Sequence, residues 1–184
     1  MTDDSSLPAG PFSAWLRGID AALVAEADSD VPCGTCTACC TSSQFVHIEP
    51  DEVDTLAHIP SKVLFPAPRL PAGHLLMGYD ERGHCPMLIE GACSIYEHRP
   101  RTCRTYDCRI FPAAGIEADA EKPLIAAQAR RWRFDHPTAE DRADHDAVLA
   151  AARQVDAPAN ATEHAVLAIR VAAPSRLRRA RRRA

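Results

Sequence analysis

Residues 33–40 read CGTCTACC, residues 84–88 read HCPML, and residues 93–108 read CSIYEHRPRTCRTYDC. All eight cysteines of the 184-residue chain lie in these three stretches, and the flanks hold none. A C-x2-C step places two thiols on one side of a tight loop whose backbone amides can donate to sulfur, the pincer shared by zinc knuckles and iron–sulfur loops. One such step is a weak signal. Here Cys33, Cys36 and Cys39 repeat it and Cys40 adjoins, a spacing that packing alone rarely produces. Adjacent side chains such as Cys39 and Cys40 point apart in either a strand or a helix, so they serve two ions more readily than one tetrahedral centre. Eight thiolates suit two four-coordinate sites, or one cluster plus a zinc, and the pairing stays open.

Disulfides or ligands is a question of compartment. The opening MTDDSSLPAGPFSAW is acidic, with neither a basic nor an apolar leader region. No stretch approaches the roughly 20 apolar residues that a membrane helix needs. A cytoplasmic protein off the membrane is therefore expected, and in a reducing cytosol the thiols are metal ligands. The metals that suit them are zinc or iron, the latter including an iron–sulfur cluster. A composition of 46% hydrophobic and 25% charged residues is globular, and the length suits one compact domain. Only 5% of residues are aromatic, so the core should be thin and Ala-rich, with metal contributing directly to folding.

The order CGTCTACC, CPML, CSIYEHRPRTCRTYDC resembles the CxxCxxCC, or YkgJ-family, cysteine-cluster proteins. Their signature is C-x2-C-x2-CC, a Cys before a short apolar run, then C-x-I-Y-x-x-R-P-x-x-C-R, and these elements appear here in order. That family is described as zinc- or iron-chelating, and a related cluster occurs in flagellin lysine N-methylases. The resemblance implies metal binding at Cys33, Cys36, Cys39, Cys40, Cys85, Cys93 and Cys103; Cys108 is added on its spacing. It implies no substrate. Four thiolates on a dication leave a net charge of about −2 per site, costly to bury alone. Arg99, Arg101, Arg104 and Arg109 interleave with the last three cysteines and could offset it, while Tyr96 and Pro100 read as packing residues.

Outside the cysteines, Phe12, Trp15, Leu16, Ile19, Leu23 and Val24 have helical spacing, predicting a helix over 11–27. Pro50 before DEVDTLAHI predicts a short helix, and four prolines make 60–72 an irregular linker. HLLMGY, DERG and HCPMLI read as a β-hairpin. The stretch 91–112 should hold turns and a helical fragment interrupted at Pro100, and 120–134 is either helix or strand. Thr138 stands three residues before Asp141, a capping box that starts a helix over 137–154. Another helix is expected over 161–171, stopped by Pro174. The expected fold is thus a small α-rich single domain with irregular metal-stapled cysteine loops and one short β-hairpin. Its parts are an N-terminal helix (1–32), the cysteine region (33–112), a C-terminal helical region (113–173) and a disordered Arg-rich tail (174–184).

The formal net charge is −4, yet six of the arginines sit in the tail PSRLRRARRRA. The remaining body is acidic, which is not the broad positive face of a DNA-binding domain. The tail can contact phosphate, but a charge run reads first as solubilising, so nucleic acid is the subordinate partner. In RRWRF (130–134), Trp132 and Phe134 should pack inward beneath Arg stems. His47, His84 and His98 lie near the cysteines and read as surface histidines before ligands; His136 and His145 read as solvated. No GxGxxG, Walker loop or GxSxG occurs, so whether the protein is an enzyme stays open. The leading reading is a metal-binding cysteine-cluster protein. The alternatives are an iron–sulfur redox or modification enzyme or electron carrier, and a structural-zinc interaction module whose Arg tail touches nucleic acid.

Overall fold

A computed structural model describes residues 6–24, 27–29, 31–156, 158 and 160–183, with side chains described as far as residue 172. The chain folds as two compact units. Unit 1 joins Met1–Ala27 to Asp107–Ala184, and unit 2 is Asp28–Tyr106. Helices dominate the described residues, with a few short strands, as the α-rich reading expects. No helix among the described residues is long and apolar enough to cross a membrane.

Unit 1 opens with β1 (Leu7–Pro11) and α1 (Phe12–Leu23). The helical spacing is realised: Phe12, Trp15, Leu16 and Ile19 are buried, whereas Val24 ends up exposed just past the last turn. Further along lie α4 (Ile110–Ala114), α5 (Pro123–Ala129), β7 (Trp132–Asp135), α6 (Ala139–Gln154) and α7 (Ala161–Arg183). The undecided stretch 120–134 is both things in turn, a helix with Pro123 in its first turn and then a strand. That strand pairs in parallel with β1, Leu7 opposite Trp132 and Pro11 opposite Asp135. The LPAGP segment carries no strand pattern, and only its neighbour makes it one.

Helix α6 begins with the anticipated capping box, Thr138 and Asp141 satisfying each other's amides. Asp141 does more: its Oδ1 accepts the Ser13 N–H at 2.9 Å, capping α1, whose own N-cap Pro11 supplies no side chain. Helix α4 ends at Gly115 (φ 66°) in a Schellman pattern, with Ile116 N–H on Phe111 O and Gly115 N–H on Pro112 O. The core is Ala-rich as expected. Ala113, Ala165 and Ala168 are fully buried, letting α4 and α7 approach closely around Val148, Ile169 and Trp132.

Three expectations need correction here. His136 and His145 are not simply solvated: they hydrogen-bond to each other (2.8 Å), and the His145 ring stacks on Phe12 at 4.2 Å. Burial, with His136 beside it, lowers the His145 pKa, because this face of α6 turns inward onto α1. Helix α7 also runs past Pro174 to Arg183, where a stop and then a disordered tail were expected; the side chains beyond residue 172 lie outside the described residues. The third concerns the hairpin, in unit 2.

Unit 2 holds an antiparallel three-stranded sheet of β2 (Val46–Ile48), β4 (Leu75–Met77) and β3 (Leu64–Pro66), with β4 in the middle. The chain does reverse at Asp80–Gly83, where the Asp80 carboxylate accepts the amides of Arg82 and His84. The returning residues do not pair with β4, though. β4 takes β2 and β3 instead, and the latter draws residues 64–66 out of the stretch read as irregular, with Pro66 on an edge strand where a missing N–H is harmless. The tight hairpin lies further on, between β5 (Leu88–Ile89) and β6 (Ala92–Cys93). Glu90 (φ 51°) and Gly91 (φ 78°) form its two-residue turn, and two positive φ values match the right-handed strand twist. Helices α2 (Val53–Ala57) and α3 (Arg101–Thr105) complete the unit over a core of Val46, Ile48, Ile59, Met77, Met87 and Ile95.

Candidate metal centre

None of the eight cysteines forms a disulfide. The first loop closes as its spacing implies, the Cys36 N–H donating to Cys33 O at 2.9 Å across Gly34, whose φ of 55° the turn requires. Cys39 and Cys40 open a 3-10 turn, pinned where Thr41 Oγ1 donates to Thr37 O and Ser42 Oγ to Ala38 O. Successive residues of such a turn are about 120° apart. Cys39 is accordingly exposed while Cys40 is half-buried.

Cys40 is where the sequence clusters meet. The Cys85 N–H donates to Cys40 O at 2.7 Å, and Cys85 and Cys93 both pack against the hydrophobic core of unit 2. Burial, then the nearby thiols of Cys85, Cys93, Cys36 and Cys33, push Cys40 up to about 11. Desolvation and the thiols of Cys85, Cys40 and Cys93 push Cys103 up to about 12, although part of that residue is open to solvent; Arg99 pulls the other way. Six cysteines from the three stretches therefore act on one another. The Cys85 thiol is also raised by burial, against which the amides of Met87 and Leu88 donate hydrogen bonds to it. Those two N–H···S contacts are the pincer geometry that a C-P-x-x turn offers a thiolate.

The donor set is soft sulfur throughout, and it suits zinc or iron. It is gathered rather than closed. A tetrahedral thiolate site with bonds of ~2.3 Å has sulfur–sulfur edges of about 3.8 Å. Among the described residues no thiol trio lies within 4.8 Å of one another; the group that does is Asp54, His58 and His98. One further feature fits an anionic centre. The Arg99 Nε–H is buried without a hydrogen-bond partner, and its guanidinium stacks 3.5 Å from the Tyr96 ring centroid. A buried donor of that kind next to Cys103 can offset thiolate charge.

The other three arginines do not serve the thiols in this way. Arg101 pairs with Glu49 and Asp51, Arg104 with Asp28, and Arg109 with Asp107. Carboxylates distant in sequence claimed Arg101 and Arg104, which interleaving with cysteine could not reveal, and Asp107, two residues away, claimed Arg109. Pro100 is a buried packing residue as expected, but Tyr96 is exposed beneath Arg99.

Cys108 belongs to unit 1. It is buried, and its Sγ accepts the Trp132 indole N–H at 3.1 Å, so Trp132 does pack inward. Its neighbour Asp107 accepts the Trp15 indole N–H at 2.8 Å and three donors of Arg109, an ion pair that is nearly wholly buried. Phe134 packs on Phe12 and Trp15. His47 lies with His74, their rings stacked and nitrogens 3.0 Å apart, and the His84 amide is held by Asp80.

Reduced cysteines from three separate stretches, gathered on a small unit of short strands and loops, define a cysteine-cluster protein. Residues 32–122 match the model of the CxxCxxCC family, whose description is "Putative zinc- or iron-chelating domain", and this stretch of the chain is a domain of that family. No curated protein and no solved structure matches the chain significantly.

Proposed function

We propose that unit 2 chelates zinc or iron through the thiolates of Cys33, Cys36, Cys39, Cys40, Cys85, Cys93 and Cys103. The observation that carries this reading is the mutual influence of six of these thiols, converging on Cys40 and Cys103 from three stretches of sequence. Protonated thiols gathered this closely have no packing advantage over apolar residues, whereas a cation can replace their protons and draw them together. Because Cys85 and Cys93 rest on the unit's hydrophobic core, closing the site would tighten that core as well. Cys108 is left out of the set, since its sulfur already accepts from Trp132 in unit 1.

Zinc in such a site would be held by closed sulfur coordination and act on folding; iron with sulfide would add electron transfer. Anaerobic purification of the full chain, with metal analysis and a visible spectrum on the same sample, separates them. Brown protein with iron and acid-labile sulfide assigns a cluster, and colourless protein with stoichiometric zinc assigns a closed zinc site. Protein with neither metal, and with no uptake when either is added under reducing conditions, overturns the reading.

A further inference from the structure

Asp54 lies in the first turn of α2 and His58 is its C-cap, four residues on, the spacing that places two side chains on one helix face. His98 comes to them from the 3-10 turn Tyr96–His98, far along the chain. Its Nδ1 lies 2.7 Å from Asp54 Oδ2, and its ring stacks on that of His58 with centroids 3.6 Å apart and 6° between the planes. The ligand atoms these three residues offer lie within 4.8 Å of one another.

The His58 Nδ1 sits 2.8 Å from the Asp54 carbonyl oxygen, which can only accept. Nδ1 therefore carries the hydrogen, and in the neutral ring Nε2 keeps its lone pair. This backbone contact on one imidazole nitrogen is how ligand histidines are commonly oriented. The rest of the acidic segment does not compete for the same role. Glu49 and Asp51 are paired with Arg101, and Glu52 accepts the amides of Glu49 and Arg101. Those contacts fix the start of α2 against the start of α3, and so hold the two halves of the histidine group in register.

We propose that Asp54, His58 and His98 form a second metal site, for a divalent first-row transition ion, built from nitrogen and oxygen donors rather than sulfur. Two imidazoles with one carboxylate suit Zn²⁺ or Fe²⁺, whereas Ca²⁺ and Mg²⁺ favour oxygen-only shells. Three protein ligands leave at least one position for water or another molecule, and the site is open enough to admit it, the Asp54 side chain being 74% exposed. For an ion to enter, the hydrogen that His98 Nδ1 donates to Asp54 must pass to Nε2 or to solvent, and the two imidazoles must turn out of their stack so that both lone pairs reach the ion. The gap between Asp54 and His98 must also widen from 2.7 Å to about 3.3 Å, the edge of a tetrahedron with bonds of ~2.0–2.1 Å. Exposed side chains can make these adjustments.

Co²⁺ titration of the full reduced chain tests this site apart from the thiols. Thiolate ligation to Co²⁺ produces sulfur-to-metal charge-transfer absorption, and nitrogen–oxygen ligation does not. The His58 and His98 imidazole resonances should respond together to Co²⁺. In Asp54→Asn and in His58→Gln that response should need at least about tenfold more Co²⁺, with the charge-transfer band unchanged. Both substitutions fall on exposed residues, so folding should be retained. Histidine resonances that ignore Co²⁺, or that respond identically in Asp54→Asn, overturn the proposal. A histidine response without any charge-transfer band leaves this site standing and removes the thiolate reading.

Discussion

The backbone N–H of Cys85 donates to the carbonyl of Cys40 at 2.7 Å, joining two sequence clusters through main-chain atoms. Side-chain substitutions at either residue therefore leave the link in place and report on the sulfurs alone. Cys85→Ser and Cys103→Ser should each weaken metal binding by at least about tenfold, while Cys108→Ser should leave it unchanged. Metal per chain after equilibrium dialysis distinguishes them. Full loading in Cys103→Ser, or loss of metal in Cys108→Ser, would mean that the ligands have been wrongly divided.

Metal removal should act locally. If the ion contributes folding free energy to unit 2, a chelator should expose 28–106 to protease before the helices of 107–172 are cut. Mapping the first cleavage sites by mass spectrometry checks this. Simultaneous cutting in both units would deny the metal a role confined to unit 2.

Gly83 carries the approach to Cys85. Its φ is 78°, its carbonyl accepts the Ser43 N–H at 2.9 Å, and an added Cβ would stand 2.3 Å from Ser43 Oγ. Ser43 Oγ can rotate away, so the left-handed backbone sets the cost of Gly83→Ala at about 1–2 kcal/mol. Urea unfolding curves should show that loss. An alanine variant as stable as the parent would contradict the turn geometry.

Asp107 gathers the Trp15 indole and the Arg109 guanidinium inside unit 1. Asp107→Ala strands a buried cation and an indole N–H, and should cost about 3–5 kcal/mol. Asp107→Asn keeps an acceptor for Trp15 and should cost less. Thermal unfolding of the pair gives the comparison, and equal losses would show that charge, not the acceptor, dominates.

Acid should loosen unit 1. The Thr138 hydroxyl, then the Ser13 amide, hold the Asp141 carboxyl down at about 2, below the ordinary 3.8. A carboxylate depressed in the folded state contributes stability at neutral pH that is lost as pH falls from about 4 towards 2. His145, lowered from 6.5 by burial, works in the same direction at milder acidity, since its buried neutral form is favoured above that pH. Thr138→Ala removes the cap and should cost about 1 kcal/mol near neutrality. The cost should shrink in acid, where the Asp141 carboxylate it supports is itself lost. Stability measured against pH for both proteins tests this, and parallel curves would sink it.

Much of this was legible locally. The Thr138–Asp141 box starts α6, the spacing of Phe12, Trp15, Leu16 and Ile19 sets the buried face of α1, and Cys33-x2-Cys36 closes its own turn. Each depends on residues within one or two turns, so short-range geometry suffices. The metal-binding class came from the same kind of signal, cysteine spacing around turns. What lay beyond it depended on partners brought from elsewhere in the chain. LPAGP becomes a strand only beside Trp132–Asp135, Asp141 caps a helix that begins at Phe12, and β4 chooses Val46–Ile48 and Leu64–Pro66 over the run that follows it. Carboxylates distant in sequence took Arg101 and Arg104, leaving Arg99 to the thiols. Asp54 and His58 carry a readable helical spacing, but His98 joins them only through the fold. Pairing free energy between distant segments depends on which surfaces the whole chain can bury together, and that is decided by tertiary packing rather than by any window of sequence.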